Sequence, residues 1–146
     1  MNFPFGSPLL DTAVRLLIPF ILLFAAYVVA HGHYSPGGGF QGGVILAGSL
    51  ILLRLVHGGD ARWGLGPAAS LGLASIGLLL YTGIGLSSLV FGGSFLDYGA
   101  LPLGLAPHQV RAAGSFGIEV GVGLVVTGIM VVIFDALMAW DPDSVD

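Results

Sequence analysis

Glu119 stands inside an otherwise apolar, glycine-bearing stretch, Gly117-Ile118-Glu119-Val120-Gly121-Val122. An ionisable side chain in hydrocarbon is costly, and such residues face a partner or a water path. A carboxylate binds hard cations through oxygen and carries a proton, so Glu119 is the leading candidate for ion handling. The alternative is a structural pair, with Arg111 about two turns earlier or with a neighbouring subunit. Asp135 follows in the same apolar run. Counted at about 100° per residue it is turned about 160° from Glu119, which predicts different neighbours and no carboxylate dyad. It reads as the residue where that run leaves the membrane.

His31 and His33 flank Gly32. Their spacing is not that of two ligands on one helix, and no third ligand is near, so no metal site is predicted. Histidine titrates near neutral pH, so one reading is a proton relay; the other is a cap on the end of the preceding helix. His57 and His108 read as loop residues. Gln41 offers a hydrogen-bonding side chain at the mouth of a helix. Arg54, in a last helical turn, is expected to extend its charge to the interface or to meet a partner's carboxylate. Arg15 has the same two readings, with Asp11 one turn earlier as a local partner. No serine elbow and no catalytic pairing of carboxylates or histidines occurs, so neither an enzyme nor a cofactor is expected.

These residues must be positioned by a chain of unusual composition. Of 146 residues, 55% are hydrophobic and only 8% charged, with 25 glycines and no cysteine. A soluble domain carries roughly 25% charged residues. There is no lysine; the cations are Arg15, Arg54, Arg62 and Arg111, and the formal net charge is −4. With no basic patch, nucleic acid is not an expected partner. Without cysteine, disulfides and thiolate chemistry are excluded.

Four apolar runs, roughly 9–31, 41–57, 67–91 and 113–139, approach the 20 or so residues that a membrane helix needs. The expected architecture is therefore an all-α membrane protein, a single domain over 1–146, with four transmembrane helices. The first run carries Arg15 and has no clear cleavage site, so it reads as a span and not as a signal peptide. The last connection, roughly 92–112, holds Pro102 and Pro107, which speak against one helix through it; residues 107–111 are expected as a short interfacial helix. Arg15, Arg54 and Arg62 share a side against Arg111, which favours cytoplasmic termini. Trp63, Tyr98 and Trp140 fit interfacial anchors. Small residues recur at packing intervals: Gly114, Gly121 and Gly128, Gly117 with Gly121, Gly43 with Ala47, Ser70 with Ala74. Such seams let helices approach closely, and their number points to neighbours beyond this chain.

Between the first two runs lies Pro36-Gly37-Gly38-Gly39-Phe40-Gln41-Gly42-Gly43. It contains a formal G-x-G-x-x-G, but no strand precedes it, and without lysine a P-loop is impossible. It reads as a structured, glycine-rich loop at membrane depth, with Phe40 as anchor, whose backbone protein or water must cover. That need makes it the expected docking place for a partner.

This string, preceded by His31-Gly32-His33, resembles the MnhB/MrpB subunits of multisubunit sodium/proton antiporters. The Glu119-Val120-Gly121-Val122 segment is similar to the opening of that family's last helix. The resemblance covers about residues 9–139. It implies a four-helix, non-catalytic subunit of a Na+/H+ antiporter in the cell membrane, partnered by the complex's other membrane subunits. Similar subunits occur in the ion-translocating arms of membrane-bound hydrogenase-type complexes, and the sequence does not separate the two settings. A purely structural assembly subunit is the third reading.

Overall fold

The computed structural model describes residues 8–32, 37–57 and 65–139. They form four helices: α1 (Pro8–Ala30), α2 (Gly39–His57), α3 (Pro67–Val90) and α4 (Pro107–Ala139). A 3-10 turn, Tyr98–Ala100, precedes α4. Three helices open on proline, at Pro8, Pro67 and Pro107. A missing N–H costs nothing in a first turn, where the donors have no partner anyway. All four are long and apolar enough to cross a membrane. The chain is a multi-pass membrane protein.

The helices alternate in direction and lie side by side in the order α1, α2, α4, α3. α2 and α3 do not touch, and α1 meets α4 only slightly. α4 is thus held between α2, which runs parallel to it, and the antiparallel α3. Backbone-to-backbone approach defines each seam. A methyl group on Gly77 would lie 2.5 Å from the carbonyl oxygen of Gly121, and one on Gly128 would lie 2.4 Å from that of Ser70. On the other side of α4, a methyl on Gly43 would come within 2.7 Å of the Gly123 carbonyl. Thr127 is buried there, its hydroxyl 2.7 Å from the Gly123 carbonyl oxygen and 3.1 Å from that of Gly43. Close contact and shared hydrogen bonds replace the hydrophobic effect, which lipid does not supply between helices.

α1 packs on α2. At one end Val14 and Ile18 meet Leu53 and Val56; at the other, Gly42 lies against Val29 and the carbonyl of Ala25. The outer faces of α1 and α3 carry exposed Leu16, Phe20 and Leu23, and Leu71, Leu79 and Leu86. Apolar residues on the outside suit contact with lipid or with other membrane helices.

The expected break before the fourth span does not occur. α4 is one helix of 33 residues, about 50 Å long at 1.5 Å per residue. Pro107 occupies its first position, and the glycines that follow are packed, Gly114 by the ring of Tyr98 and Gly117 by Ile84. Tyr98 is partly buried outside the spans, and loss of solvent raises its phenol above the usual range. α2 likewise begins earlier than expected, at Gly39 instead of Gln41. Trp63 and Trp140 lie outside the described residues.

Candidate functional site

The site is built where the end of α1, the start of α2 and the middle of α4 converge on Glu119. Because α4 begins at Pro107, Glu119 sits about 18 Å along it, twice the depth expected from a start near 113. Its Oε2 is buried and has no hydrogen-bond partner among the described residues, although the side chain as a whole is only half-buried. What covers it is glycine backbone. A methyl group on Gly32 would lie 2.1 Å from Oε2, and one on Gly38 would lie 3.5 Å away. A methyl on Gly39 would fall 1.9 Å from the main-chain oxygen of Glu119 itself. Gly38 has φ +124°, a conformation that L side chains rarely adopt. The chain passes over Glu119 only because three residues there lack a Cβ.

The glycine-rich segment is therefore only partly a loop. Gly37 and Gly38 are irregular, whereas Gly39, Phe40, Gln41, Gly42 and Gly43 form the first turns of α2. Gly39, Gly42 and Gly43 share its buried face and meet α1 and α4. Spacings of three and four put them on one side, which turns Phe40 outward. Phe40 is 64% exposed, so its ring is not buried against the described residues of this chain. Gln41 is exposed too, with its amide oxygen beside Gly37. His31 ends α1; its Nδ1 lies 3.1 Å from the Tyr27 carbonyl, and its ring stacks on Tyr27 at 4.2 Å. His33 and Pro36 lie outside the described residues.

Arg111 does not pair with Glu119. Its guanidinium lies beside Gly99, in the turn that Asp97 caps. Eight residues along a helix mean about 12 Å of rise and about 80° of turn, which separates the two.

The other charges gather at the opposite end of the row. Arg54 of α2 forms a salt bridge with Asp135 of α4, each side chain mostly buried. Arg54 thus finds its carboxylate inside the chain instead of at a partner. Asp135 and Glu119 were expected to meet different neighbours, yet both meet α2 or the backbone leading into it. The reason is geometric. Glu119, Gly123, Thr127 and Asp135 lie on one i+4 ridge, and a packed helix follows such a ridge as it winds instead of following a straight face. Asp11 accepts from Arg15 Nε at 3.0 Å, as the local spacing predicts. It also lies 2.5 Å from Nε2 of His57, a contact that sequence spacing does not show. His57 is the last residue of α2, not a loop residue. Among the described residues no group of three or more His, Asp or Glu is arranged to hold a metal ion.

A four-span row with a half-buried carboxylate in the middle of α4 and charge pairs towards its other end defines a membrane-embedded helical unit. The chain belongs to the family described as "Domain related to MnhB subunit of Na+/H+ antiporter", whose profile matches residues 9–132. It is 38% identical over 133 residues to the B-type subunit of the Na(+)/H(+) antiporter of Bacillus subtilis (strain 168), covering 88% of this chain and 91% of that one. It is 34% identical over 133 residues to the A/B-type subunit of a probable K(+)/H(+) antiporter of Rhizobium meliloti (strain 1021), covering 85% of this chain but 12% of that longer one. Among solved structures it is similar, at TM-score 0.65 and 31% identity, to a chain of the membrane-bound sulfane sulfur reductase, an archaeal respiratory membrane complex. That match covers 93% of this chain and 60% of the other.

Proposed function

We propose that this chain is a non-catalytic subunit of a multisubunit monovalent cation (Na+)/H+ antiporter, and that Glu119 is the residue it contributes to the ion path. The carrying observation is the near-complete match, at 38% identity, to the B-type subunit of the Bacillus antiporter. The half-buried carboxyl of Glu119, whose Oε2 has no hydrogen-bond partner among the described residues, is where such a subunit meets an ion. His31, His33 and Gln41 lie in the same stretch of sequence and are its accessory candidates. The chain acts as one unit among other membrane subunits, which cover the exposed faces of α1 and α3. The Rhizobium relative, described as of A/B type, supports an A-type chain as one neighbour. The protein sits in the cell membrane with cytoplasmic termini. Arg15 and Arg54 at that end of the row support this orientation under the positive-inside rule.

The test is Na+/H+ exchange in everted vesicles from cells lacking this chain. Restoration by the wild type supports the reading, and undiminished exchange without the chain refutes it. Glu119→Gln in a normally assembled complex then decides whether the chain reaches the ion path or only holds its neighbours. The likeness to the sulfane sulfur reductase chain favours one second reading, a subunit of the ion-translocating arm of a respiratory complex. Co-purification with redox subunits would select it.

A further inference from the structure

We infer that Thr127 is a positioning residue for Glu119. Its hydroxyl sets how far α2 lies along α4, and so where the glycine backbone at the start of α2 sits over the carboxyl. This rests on the reading of Glu119 as the residue on the ion path. α2 and α4 run parallel, and glycines bring them together near Glu119. Gly39 lies against the main-chain oxygen of Glu119, and Gly43, one turn on, against the Gly123 carbonyl. Contacts between glycine backbones offer only weak Cα–H bonds to fix the offset of the two helices. The side chains between them do not help, since Phe40 and Gln41 are exposed.

Thr127 supplies the directional bond. It is buried, and its hydroxyl lies 3.1 Å from the Gly43 carbonyl oxygen and 2.7 Å from that of Gly123. Its hydrogen is shared between a carbonyl of its own helix and one of the neighbouring helix. The other polar side-chain contact between α2 and α4, Arg54 with Asp135, is eleven residues past Gly43, about 16 Å along the axis. Thr127 is thus the nearer of the two to Glu119. A slide of α2 by about 1.5 Å, the rise of one residue, would stretch the bond to Gly43 and carry Gly38 and Gly39 the same distance past Glu119.

The experiment measures Na+/H+ exchange in everted vesicles, normalised to the amount of assembled complex. Thr127→Val keeps the shape of the side chain and removes the hydroxyl; Thr127→Ser keeps the hydroxyl. The expected result for Thr127→Val is near-normal assembly with the half-saturating concentration of Na+ or of H+ moved by about two- to tenfold, the range that one lost hydrogen bond carries. Thr127→Ser should keep the wild-type values. Ser70→Ala removes a buried hydroxyl at the seam of α3 with α4 and should keep them too. Unchanged half-saturation in Thr127→Val would overturn the inference, and so would an equal shift in Ser70→Ala. Should Thr127→Val not assemble, Thr127→Ala is the second variant, because it removes the hydroxyl and leaves nothing larger to fit. Failure of both to assemble would overturn the inference, since the hydroxyl would then hold the fold and not the site. The reading of Glu119 fails separately, through undiminished exchange in Glu119→Gln.

Discussion

A methyl group on Gly32 would lie 2.1 Å from Oε2 of Glu119, which ties the end of α1 to the middle of α4 across a carboxyl group. Gly32→Ala therefore forces both the carboxyl and the Gly38 backbone, 2.4 Å from the same methyl, to give way. Overpacking of this kind costs about 1–3 kcal/mol. Lower recovery of assembled complex and a lower thermal midpoint are expected. Gly39→Ala is expected to be worse, because it meets the main-chain oxygen of Glu119, which no rotamer change can clear. Glu119→Ala should partly relieve the first substitution and not the second. Equal relief of both would contradict this geometry.

Not every glycine is held in this way. Gly48, Gly72 and Gly83 are helical and have open space where a Cβ would stand, whereas Gly77 and Gly128 face carbonyls of the adjoining helix. Alanine at the first three should be neutral or stabilising, by up to about 1 kcal/mol each from helix propensity. Alanine at Gly77 or Gly128 should separate α3 from α4 and lower the thermal midpoint. A scan giving the same effect at all five positions would rule out the seam as drawn.

Arg54 and Asp135 join α2 to α4 at the end of the row away from Glu119. Removing one member of a mostly buried pair leaves the other uncompensated, a loss of about 3 kcal/mol or more. Arg54→Asp should therefore reduce the chain's accumulation in the membrane sharply. Arg54→Asp combined with Asp135→Arg should recover much of it. Membrane accumulation by immunoblot gives the answer, and a double variant no better than Arg54→Asp would mean that the two residues act separately.

The four spans were legible because apolar runs of membrane length have one stable solution in lipid. The helix starts were less so. Pro107 read as the opener of a short helix of its own, 107–111, whereas it is the first residue of the fourth span itself. Glu119 stood out as a lone carboxylate, and the glycine string stood out by composition. Nothing in their separation along the chain showed that Gly32, Gly38 and Gly39 are the cover of Glu119. That relationship belongs to the packing of α4 between its neighbours. The pairing of Arg54 with Asp135 escaped for a related reason: opposite angular positions on one helix can meet the same neighbour when contact follows the winding i+4 ridge.

Asp11 is the point through which the start of α1 is held to α2. It bridges Arg15 on its own helix, at 3.0 Å, and His57 at the end of α2, at 2.5 Å. Just inside it, Val14 and Ile18 pack on Leu53 and Val56, so the polar contact closes one end of an apolar interface. The two bonds differ in weight. The Arg15 side chain is 69% exposed, and its bond to Asp11 lies within one helix, so it does nothing to hold α1 to α2. The His57 bond crosses between helices, and its ring is anchored from behind by the Leu53 carbonyl at 3.1 Å. Hydrogen–deuterium exchange of the first turns of α1 in the purified complex reads this difference. Asp11→Asn and His57→Ala should speed exchange there by similar amounts, and Arg15→Ala should leave it close to wild type. The double variant Asp11→Asn with His57→Ala should be no worse than either alone, because both remove one interaction. Additive effects, or a large effect of Arg15→Ala, would show that the start of α1 is held in another way.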